Sequence, residues 1–310
     1  MQDLTGVILS AGKGSRIDPF NTRFPKPLLP IGNRPIMGHH LEMFHAVGVK
    51  KVHIVVGHLM DRIINAFGRR SPEGTPIHYV EQTEILGIAH AVGRVEPHVD
   101  GPFLLVLGDI FYLAPQMHRL VERYARGDVA CVLAVKEESD PEPVRKNFTV
   151  ELDPAGYVTR VVEKPRRPKT LLKGCGVYLF GPEVFDAIHR TPRTALRDEY
   201  EITNTIQIMI DEGHKVATES VIDWDLNVTF PLDLLEGNMA WLDHLGKDNL
   251  IDPRARIHPD ARLERCVVGP GAEIASPLEL EHCVVFPDTR VSARGTLTNT
   301  LFSDDMVIRC

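Results

Sequence analysis

The sequence contains few cysteines, few aromatic residues and no long apolar run. Its five cysteines lie far apart among 310 residues, which argues against a disulfide framework or a zinc site and is typical of reduced thiols. No apolar stretch approaches the roughly 18 residues of a transmembrane helix, and the N-terminus lacks the pattern of a signal peptide. We therefore expect a cytoplasmic protein without a membrane partner.

Positive charge is also scarce. The formal net charge is −7, from 35 lysines and arginines against 42 acidic residues, and no basic run is longer than a pair such as Arg166-Arg167. Because a nucleic-acid surface usually requires a basic patch, we expect no nucleic-acid partner. The histidine-rich segment HHLEMFH at 39–45 lacks the HExxH order of a metalloprotease.

Apolar, strand-like runs alternate with amphipathic helical stretches over the first two thirds of the chain. The runs TGVILS at 5–10, KKVHIVVG at 50–57 and GPFLLVLGD at 101–109 are separated by helical patterns such as those at 34–48 and 60–70. This order predicts an α/β fold, a Rossmann-like three-layer domain whose mixed, mainly parallel sheet lies between helices. Ligands of such folds bind at the carboxyl ends of the strands.

The C-terminal segment 251–310 has a different periodicity. From Ile251, the hexapeptides IDPRAR, IHPDAR and LERCVV follow one another, and each opens with an aliphatic residue. The same spacing returns at Val268/Ile274 and at Val285/Val291/Leu297. It resembles the hexapeptide repeat of left-handed parallel β-helices. We predict an α/β domain at 1–238, a linker helix at 239–250 and a short left-handed β-helix after it; an irregular β-rich tail is the alternative.

Residues 9–16, LSAGKGSR, have the composition of a phosphate-binding loop. They do not match a Walker A loop, because Gly14 follows Lys13 where serine or threonine should bind magnesium. They do not match a dinucleotide-binding fingerprint, because Ile17 takes the place of its third glycine. By itself, the loop could also be a glycine turn without a ligand.

The stretch FPKPLLPIGNRPI at 24–36 follows, and with the loop it resembles the signature of sugar-1-phosphate nucleotidylyltransferases. The loop is similar to that of N-acetylglucosamine-1-phosphate uridylyltransferases, and PKPLLP to that of glucose-1-phosphate thymidylyltransferases. Further blocks follow in the family's order through residue 238. The resemblance implies transfer of a nucleotidyl group from UTP or dTTP to glucose 1-phosphate or a related sugar 1-phosphate, with release of pyrophosphate.

The resemblance implies that the loop's backbone N–H groups wrap the triphosphate, that Arg16 binds phosphate oxygens and that Lys26 directs positive charge to the α-phosphate. In VEQTEILGIAHAV at 80–92, Gln82 would pair with uracil or thymine and Gly87 would back the base; Gln82 could instead be a solvated polar residue. The implied nucleotide-binding residues are Leu9, Ser10, Ala11, Gly12, Lys13, Gly14, Ser15, Gln82, Gly87, Ile88 and Gly108.

A magnesium ion is implied as well, bound by one or two carboxylates together with phosphate oxygens. Asp109 ends a buried strand, where a ligand carboxylate belongs, although it could instead cap a helix. The second ligand falls in WDLNVTFPLDLLEGN at 224–238, which departs from the family's spacing. Asp225 is favoured there, and Asn227 stays open.

On the sugar side, VVEKP at 161–165 resembles the block whose glutamate binds sugar hydroxyls and whose lysine meets the sugar phosphate. The implied sugar-phosphate residues are Phe148, Glu163, Lys164, Gly174, Gly176 and Tyr178. The implied catalytic residues are Arg16, Lys26, Asp109, Lys164 and Asp225. Two positions depart from the family: Phe148 replaces a glycine, so that a ring would reshape the sugar pocket, and Asn204 replaces an acid.

These departures leave other functions open. One is a non-catalytic subunit of the same fold that binds a nucleotide sugar, against which the intact Arg16, Lys26, Asp109 and Lys164 argue. Another is a guanylyltransferase that uses mannose or heptose 1-phosphate. A third is acyl transfer on the β-helix, for which the segment is too short. We expect a homo-oligomer in which the β-helix packs against a neighbouring subunit or the catalytic domain.

Overall fold

The structure is a computed structural model that describes residues 3–195, 197–304 and 306–310. The α-helices are α1 (Ile36–Ala46), α2 (Met60–Phe67), α3 (Ile88–Gly93), α4 (His118–Ala125), α5 (Pro141–Lys146), α6 (Val184–Arg190), α7 (Ile202–Asp211) and α8 (Pro231–Leu245). Within the described ranges, no helix is both long and apolar enough to cross a membrane.

The strands before α8 are β1 (Thr5–Ser10), β2 (Pro30–Ile31), β3 (Arg34–Pro35), β4 (Lys51–Val56), β5 (Ile77–Glu81), β6 (Phe103–Leu107), β7 (Ile110–Leu113), β8 (Cys131–Glu137), β9 (Phe148–Leu152), β10 (Val158–Glu163), β11 (Leu172–Phe180), β12 (Val216–Glu219) and β13 (Trp224–Asn227). Those after it are β14 (Leu250–Ile251), β15 (Arg256–Ile257), β16 (Arg262–Glu264), β17 (Val267–Val268), β18 (Glu273–Ile274), β19 (Leu278–Glu281), β20 (Val284–Val285), β21 (Arg290–Val291), β22 (Gly295–Thr298), β23 (Thr300–Ser303) and β24 (Met306–Arg309).

The chain forms two compact units, and each is built from two separate segments. The first unit contains the segment up to Lys13 together with His40–Asp225, and the second contains Gly14–His39 together with Leu226–Cys310. The boundary therefore falls inside the loop LSAGKGSR. It differs from the predicted division into 1–238, 239–250 and 251–310, which stays a prediction.

The first unit is organised around a nine-stranded mixed sheet. Its main path runs in the order β10-β9-β11-β6-β1-β4-β5, and β8 and β12 extend it beside β11. The central strands β6, β1, β4 and β5 are parallel, whereas β11 is antiparallel to β6, β8 and β9. Aliphatic and aromatic residues of these strands share one buried core with α3, α6 and α7. The predicted α/β fold is confirmed.

In the second unit, the segment 14–39 packs on α8 and on the C-terminal coils. Asn238 of α8 is fully buried; its Oδ1 accepts from the Gly32 N–H at 2.9 Å and its Nδ2 donates to the Pro30 carbonyl at 3.0 Å. The Phe20 ring stacks on Phe286 with 5.1 Å between centroids. A buried amide and stacked rings thus hold segments that lie far apart in the sequence.

The helix α8 replaces the predicted linker helix at 239–250. It begins at Pro231 because the Asp233 carboxylate accepts the Thr229 and Phe230 N–H groups, at 2.7 and 2.6 Å, and so caps its first turn. It ends at Gly246, whose φ of 62° is the left-handed conformation that stops a helix. The sequence analysis recognised only its C-terminal half.

The C-terminal strands form three parallel sheets, in the orders β14-β17-β20-β23, β15-β18-β21 and β16-β19-β22, with β24 antiparallel at the end of the first. The buried residues of these sheets, such as Val268, Ile274 and Leu280, form one core between them. The predicted short β-helix of parallel strands is confirmed.

Each coil of this β-helix is one residue shorter than three of the predicted hexapeptides. Stacked residues such as Arg256 and Glu273 are 17 positions apart, so two sides of the coil have the predicted six-residue step and the third has five. The short side turns through a residue of positive φ in each coil: Arg265 (50°), His282 (51°) and Asn299 (49°). These left-handed residues let the chain turn in one residue fewer.

Candidate active site

The carboxyl ends of the parallel strands bring several predicted nucleotide-binding residues to one edge of the first unit. Because β1, β4, β5 and β6 run in the same direction, the residues that follow them share that edge. The Gly108 N–H donates to the Leu9 carbonyl at 2.9 Å, and the Gln82 N–H donates to the Val56 carbonyl at 2.8 Å. Ser10, the last residue of β1, and Ala11 after it are buried, whereas Gly12 and Lys13 are exposed.

Gly57 is a residue of this edge that the sequence analysis missed. A Cβ atom at Gly57 would lie 2.9 Å from the Ala11 carbonyl oxygen and 3.1 Å from that of Gln82. Only glycine lets the ends of β1, β4 and β5 approach so closely. The signal was available, since Gly57 closes the strand-like run KKVHIVVG.

The predicted base-binding residues Gln82 and Gly87 lie in a closely packed region. Gln82 is only 3% exposed, so it is not the solvated residue of the alternative interpretation. Its Nε2 lies 2.9 Å from His90 Nδ1. Gly87 has a φ of 112°, and a Cβ there would lie 2.6 Å from the Tyr200 carbonyl oxygen. Ile88 follows as the first residue of α3 and is half-buried.

The second unit brings the rest of the loop together with Lys26. Gly14 has a φ of 61°, and a Cβ there would lie 3.0 Å from Lys26 Cγ, so the lysine stem covers this glycine. Lys26 opens a short 3-10 turn after the buried Pro25 and is itself half-buried. Ser15 and Arg16 are exposed on a neighbouring 3-10 turn. Gly14 of the loop and Lys26 of the PKP segment therefore lie next to each other.

Asp109 lies in the two-residue turn between β6 and β7, at the carboxyl end of a central parallel strand, and is half-buried. Because a strand follows it, Asp109 does not cap a helix, which removes that alternative. A carboxylate is the hard oxygen ligand that Mg²⁺ prefers.

Asp225, the favoured second metal ligand, is held by a buried ion pair. Its side chain is 3% exposed and its Oδ1 accepts from Lys173 Nζ at 2.8 Å. Lys173 Nζ also lies 2.6 Å from Glu138 Oε1, and Lys136 Nζ lies 3.5 Å from the same oxygen. Burial disfavours the charge of Lys173, yet attraction and hydrogen bonds from Asp225 and Glu138 raise its pKa. The carboxylate of Asp225 is therefore bound by a cation of the protein.

Asn227, the other candidate, lies at the end of β13 and is half-buried. Among the described residues, no group of three or more His, Cys, Asp or Glu side chains is arranged to hold a metal ion. The donor set therefore fits a magnesium ion only in the form in which phosphate oxygens complete the coordination of one or two protein ligands.

Glu163 and Lys164, predicted to bind the sugar and its phosphate, stand at the end of β10. Lys164 has a φ of 41°, and its N–H donates to the Asn147 carbonyl at 2.7 Å. Glu163 is engaged by Arg197, whose Nη1 lies 3.2 Å from Glu163 Oε1 and 2.8 Å from Glu201 Oε1. Burial, followed by repulsion from Glu163, raises the pKa of Glu201. Arg197 thus joins two carboxylates at this position, a role that no sequence motif indicated.

Phe148 and Tyr178 lie in the hydrophobic core, which corrects the prediction that they line the sugar pocket. They are 4% and 2% exposed, and their rings stack with 6.0 Å between centroids. A Cβ on Gly174 would lie 1.8 Å from Phe148 Cζ, so the ring occupies the space above that glycine. Gly176 has a φ of 67° where the register of β11 shifts between Gly174 and Tyr178. The Phe148 ring thus fits in the core because Gly174 has no side chain.

Comparison with known proteins supports the family resemblance that these motifs indicated. The sequence model of the nucleotidyl transferase family matches residues 5–252. The low-salt glycan biosynthesis nucleotidyltransferase Agl11 of Haloferax volcanii is 33% identical over 264 residues, 84% of this chain and 71% of that protein. The UTP–glucose-1-phosphate uridylyltransferase AglF of the same organism is 33% identical over 230 residues, 74% of this chain and 93% of that protein. A glucose-1-phosphate thymidylyltransferase of Streptomyces griseus is 33% identical over 259 residues, 82% of this chain and 71% of that protein.

Solved structures share the fold. UDP-glucose pyrophosphorylase complexed with UDP-glucose aligns with a TM-score of 0.71 at 19% identity, over 78% of this chain and all of that one. Its apo form aligns with a TM-score of 0.70 at 19% identity, over 79% of this chain. With a family match over most of its length and relatives one third identical, the chain belongs to the nucleotidyl transferase family, and its predicted resemblance to the sugar-1-phosphate nucleotidylyltransferases is confirmed.

Proposed function

We propose that this chain transfers a nucleotidyl group from UTP or dTTP to glucose 1-phosphate or a related sugar 1-phosphate and releases pyrophosphate. The observation that carries the proposal is the edge of the first unit where Gln82, Gly87 and Asp109 follow the parallel strands. A buried amide and a close-packed glycine suit a planar base, and a carboxylate at the same edge suits a metal ion that accompanies the phosphates.

The phosphates require positive charge and backbone donors, because the attacking sugar phosphate and the triphosphate repel each other. In this proposal, Lys26 supplies a charge held in place by its packing on Gly14, and Arg16 binds phosphate oxygens through its guanidinium group. Lys164 binds the phosphate of the sugar, and Glu163, oriented by Arg197, accepts hydrogen bonds from sugar hydroxyls. The sugar phosphate attacks the α-phosphorus in line, and pyrophosphate leaves.

Family members generally depend on a divalent metal. We propose that Mg²⁺ is bound by Asp109 and by phosphate oxygens, and that it neutralises charge on the phosphates. Asp225 stays a candidate ligand only if it leaves Lys173, and Asn227 stays the alternative, with an amide oxygen as the ligand atom. A cytoplasmic location and a homo-oligomeric state also stay predictions, and light scattering of the purified chain would test the second.

The test is a substrate matrix followed by pyrophosphate release. UTP, dTTP, CTP, GTP and ATP are each combined with glucose, N-acetylglucosamine, mannose and heptose 1-phosphates, with and without Mg²⁺. We expect turnover with UTP or dTTP, and loss of at least about a hundredfold in Lys26→Ala and Asp109→Ala. Lys50→Ala, which changes an exposed lysine just before β4, is the control. Tight binding of a nucleotide sugar without turnover would instead support a non-catalytic subunit, and turnover with GTP a guanylyltransferase.

A further inference from the structure

The β-helix contacts the segment 14–39 through the ring of Phe286. This ring stacks on Phe20 with 5.1 Å between centroids and 14° between planes, and it lies at 73° to the Phe24 ring with 5.9 Å between centroids. Phe286 and Phe20 are 2% and 0% exposed, and Phe24 is half-buried. Both geometries are favourable for aromatic pairs, so the three rings form a stabilising contact inside the second unit.

The ring of Phe286 is an exception among the positions that stack with it in the β-helix. Coils repeat every 17 residues, and the stacked positions are Asp252, Gly269 and Ser303. The core of the β-helix is formed by other side chains, such as Leu280. The repeat of the coil therefore does not require a large ring at position 286, whereas the contact with Phe20 does.

The neighbouring coils fix the backbone of Phe286. Its N–H donates to the Phe302 carbonyl at 2.8 Å on one side. On the other side, a Cβ on Gly269 would lie 2.6 Å from the Pro287 nitrogen and 2.9 Å from the Phe286 carbonyl carbon. Only glycine lets the two coils approach so closely there. The β-helix thus holds the Phe286 ring at a fixed place.

The two rings that Phe286 contacts lie between the proposed phosphate-binding residues. Phe20 follows the 3-10 turn at 15–17 that contains Arg16, and Phe24 precedes Lys26 by two positions. The Phe20 carbonyl accepts the Phe24 N–H at 2.7 Å, so both rings belong to one turn. The β-helix therefore holds the part of the chain that connects the two positively charged side chains.

We infer that Phe286 is a positioning residue, through which the β-helix keeps Arg16 and Lys26 in place for the reaction. The inference rests on the proposed function, in which these two side chains bind the phosphates of the nucleotide. Their charges stabilise the transition state only from the correct place, and a displacement of about 1 Å can cost about a hundredfold in rate. The β-helix then contributes to catalysis without a group that touches the substrate.

The experiment compares kcat/KM for the better of UTP and dTTP in the full-length wild type, Phe286→Ala and Leu280→Ala, at a temperature at which circular dichroism shows all three to be folded. Phe286→Ala removes the ring from Phe20 and Phe24, so we expect kcat/KM to fall about tenfold or more. Leu280→Ala is the matched control, because it leaves a cavity in the core of the β-helix and keeps the Phe286 ring. It should lower thermal stability and leave kcat/KM unchanged.

A second comparison, in the Lys26→Ala background, separates positioning from a general loss of structure. If Phe286 acts through Lys26, part of its contribution is already lost in Lys26→Ala. Adding Phe286→Ala should then reduce kcat/KM by a factor at least about threefold smaller than in the wild type. General damage to the fold would reduce kcat/KM by the same factor in both backgrounds.

The outcomes distinguish this inference from the proposed function. If the wild type turns over neither UTP nor dTTP, both are overturned. If it does, the inference alone is overturned when folded Phe286→Ala keeps the wild-type kcat/KM, loses the same factor in both backgrounds, or is matched by Leu280→Ala. If Phe286→Ala does not fold, Phe286→Leu, which keeps an apolar side chain without the flat ring, replaces it. A loss that is smaller in the Lys26→Ala background then supports the inference, and an equal loss or none contradicts it.

Discussion

Lys173 donates a hydrogen bond to Asp225 across 2.8 Å, and both side chains are almost completely removed from solvent. A buried charge that loses its partner is costly, so Lys173→Met should lower the free energy of unfolding by about 3–5 kcal/mol. Chemical denaturation measures this loss.

The double variant Lys173→Met/Asp225→Asn is the matched control. It removes both charges, so its loss should be well below the sum of the two single losses. Simple additivity would show that the pair does not interact. Activity adds a second readout: a nearly active Asp225→Ala enzyme, which keeps no side-chain oxygen at this position, would exclude Asp225 as an essential metal ligand.

The contact between Phe148 and Gly174 predicts strong coupling between these positions. Phe148→Ala should destabilise the protein by about 3–5 kcal/mol through the cavity it leaves. Gly174→Ala should also destabilise it, because the new Cβ would lie 1.8 Å from Phe148 Cζ. The double variant should be more stable than additivity predicts, since each change removes the cause of the other's strain. Thermal unfolding of the four proteins tests this.

Gly87 combines a positive φ with a close approach to the Tyr200 backbone. Gly87→Ala should therefore raise the KM for the nucleotide and lower stability by about 1–3 kcal/mol. Gly127→Ala is the control, because Gly127 has a φ of 77° and open space around it. Gly127→Ala should lower stability through its strained φ but leave the KM for the nucleotide unchanged. Equal KM values for the nucleotide in both variants would contradict the proposed role of Gly87 in binding the base.

His53 makes stability depend on pH. Its ring is 5% exposed and stacks on His78 and His98, and in the described part of the chain neither ring nitrogen has a hydrogen-bond partner. Burial, then repulsion from His78, Lys51 and His98, lowers its pKa from 6.5 to about 4. The unfolded chain therefore binds a proton that the folded protein does not.

This contribution to stability is complete above pH 6.5 and is lost as the pH falls from there to about 4. His53→Phe should flatten the pH dependence of the unfolding free energy in that window. His45→Gln, at an exposed position of α1, should leave it unchanged. Parallel curves for wild type and His53→Phe would contradict the prediction.

The sequence predicted best what depends on local pattern. The parallel strands that end at Ser10, Val56 and Leu107 follow from short apolar runs, and the β-helix follows from regularly spaced aliphatic residues. The 17-residue coil was missed because its short side depends on left-handed residues such as Arg265, which no composition rule marks.

The candidate site was harder to predict where its contacts join distant segments. Lys173 and Asp225 are 52 positions apart, and no periodicity relates them, although a lysine inside the apolar run LLKGCGVYLF was a visible signal. Motif matching placed Phe148 and Tyr178 at the sugar because it registers position and not side-chain direction. The structure places both rings in the core.

The second unit consists of two segments that lie far apart in the sequence, and this affects when it can form during synthesis. Residues 14–39, which include Arg16 and Lys26, are made long before their partners: Gly32 and Asn33 bind Asn238 and Val268, 206 and 235 positions later. Segments that depend on such distant contacts form late in folding. A ribosome-bound chain that stops before Val268 would lack the groups that bind this segment, so the segment is expected to reach its final arrangement only after these coils have been made.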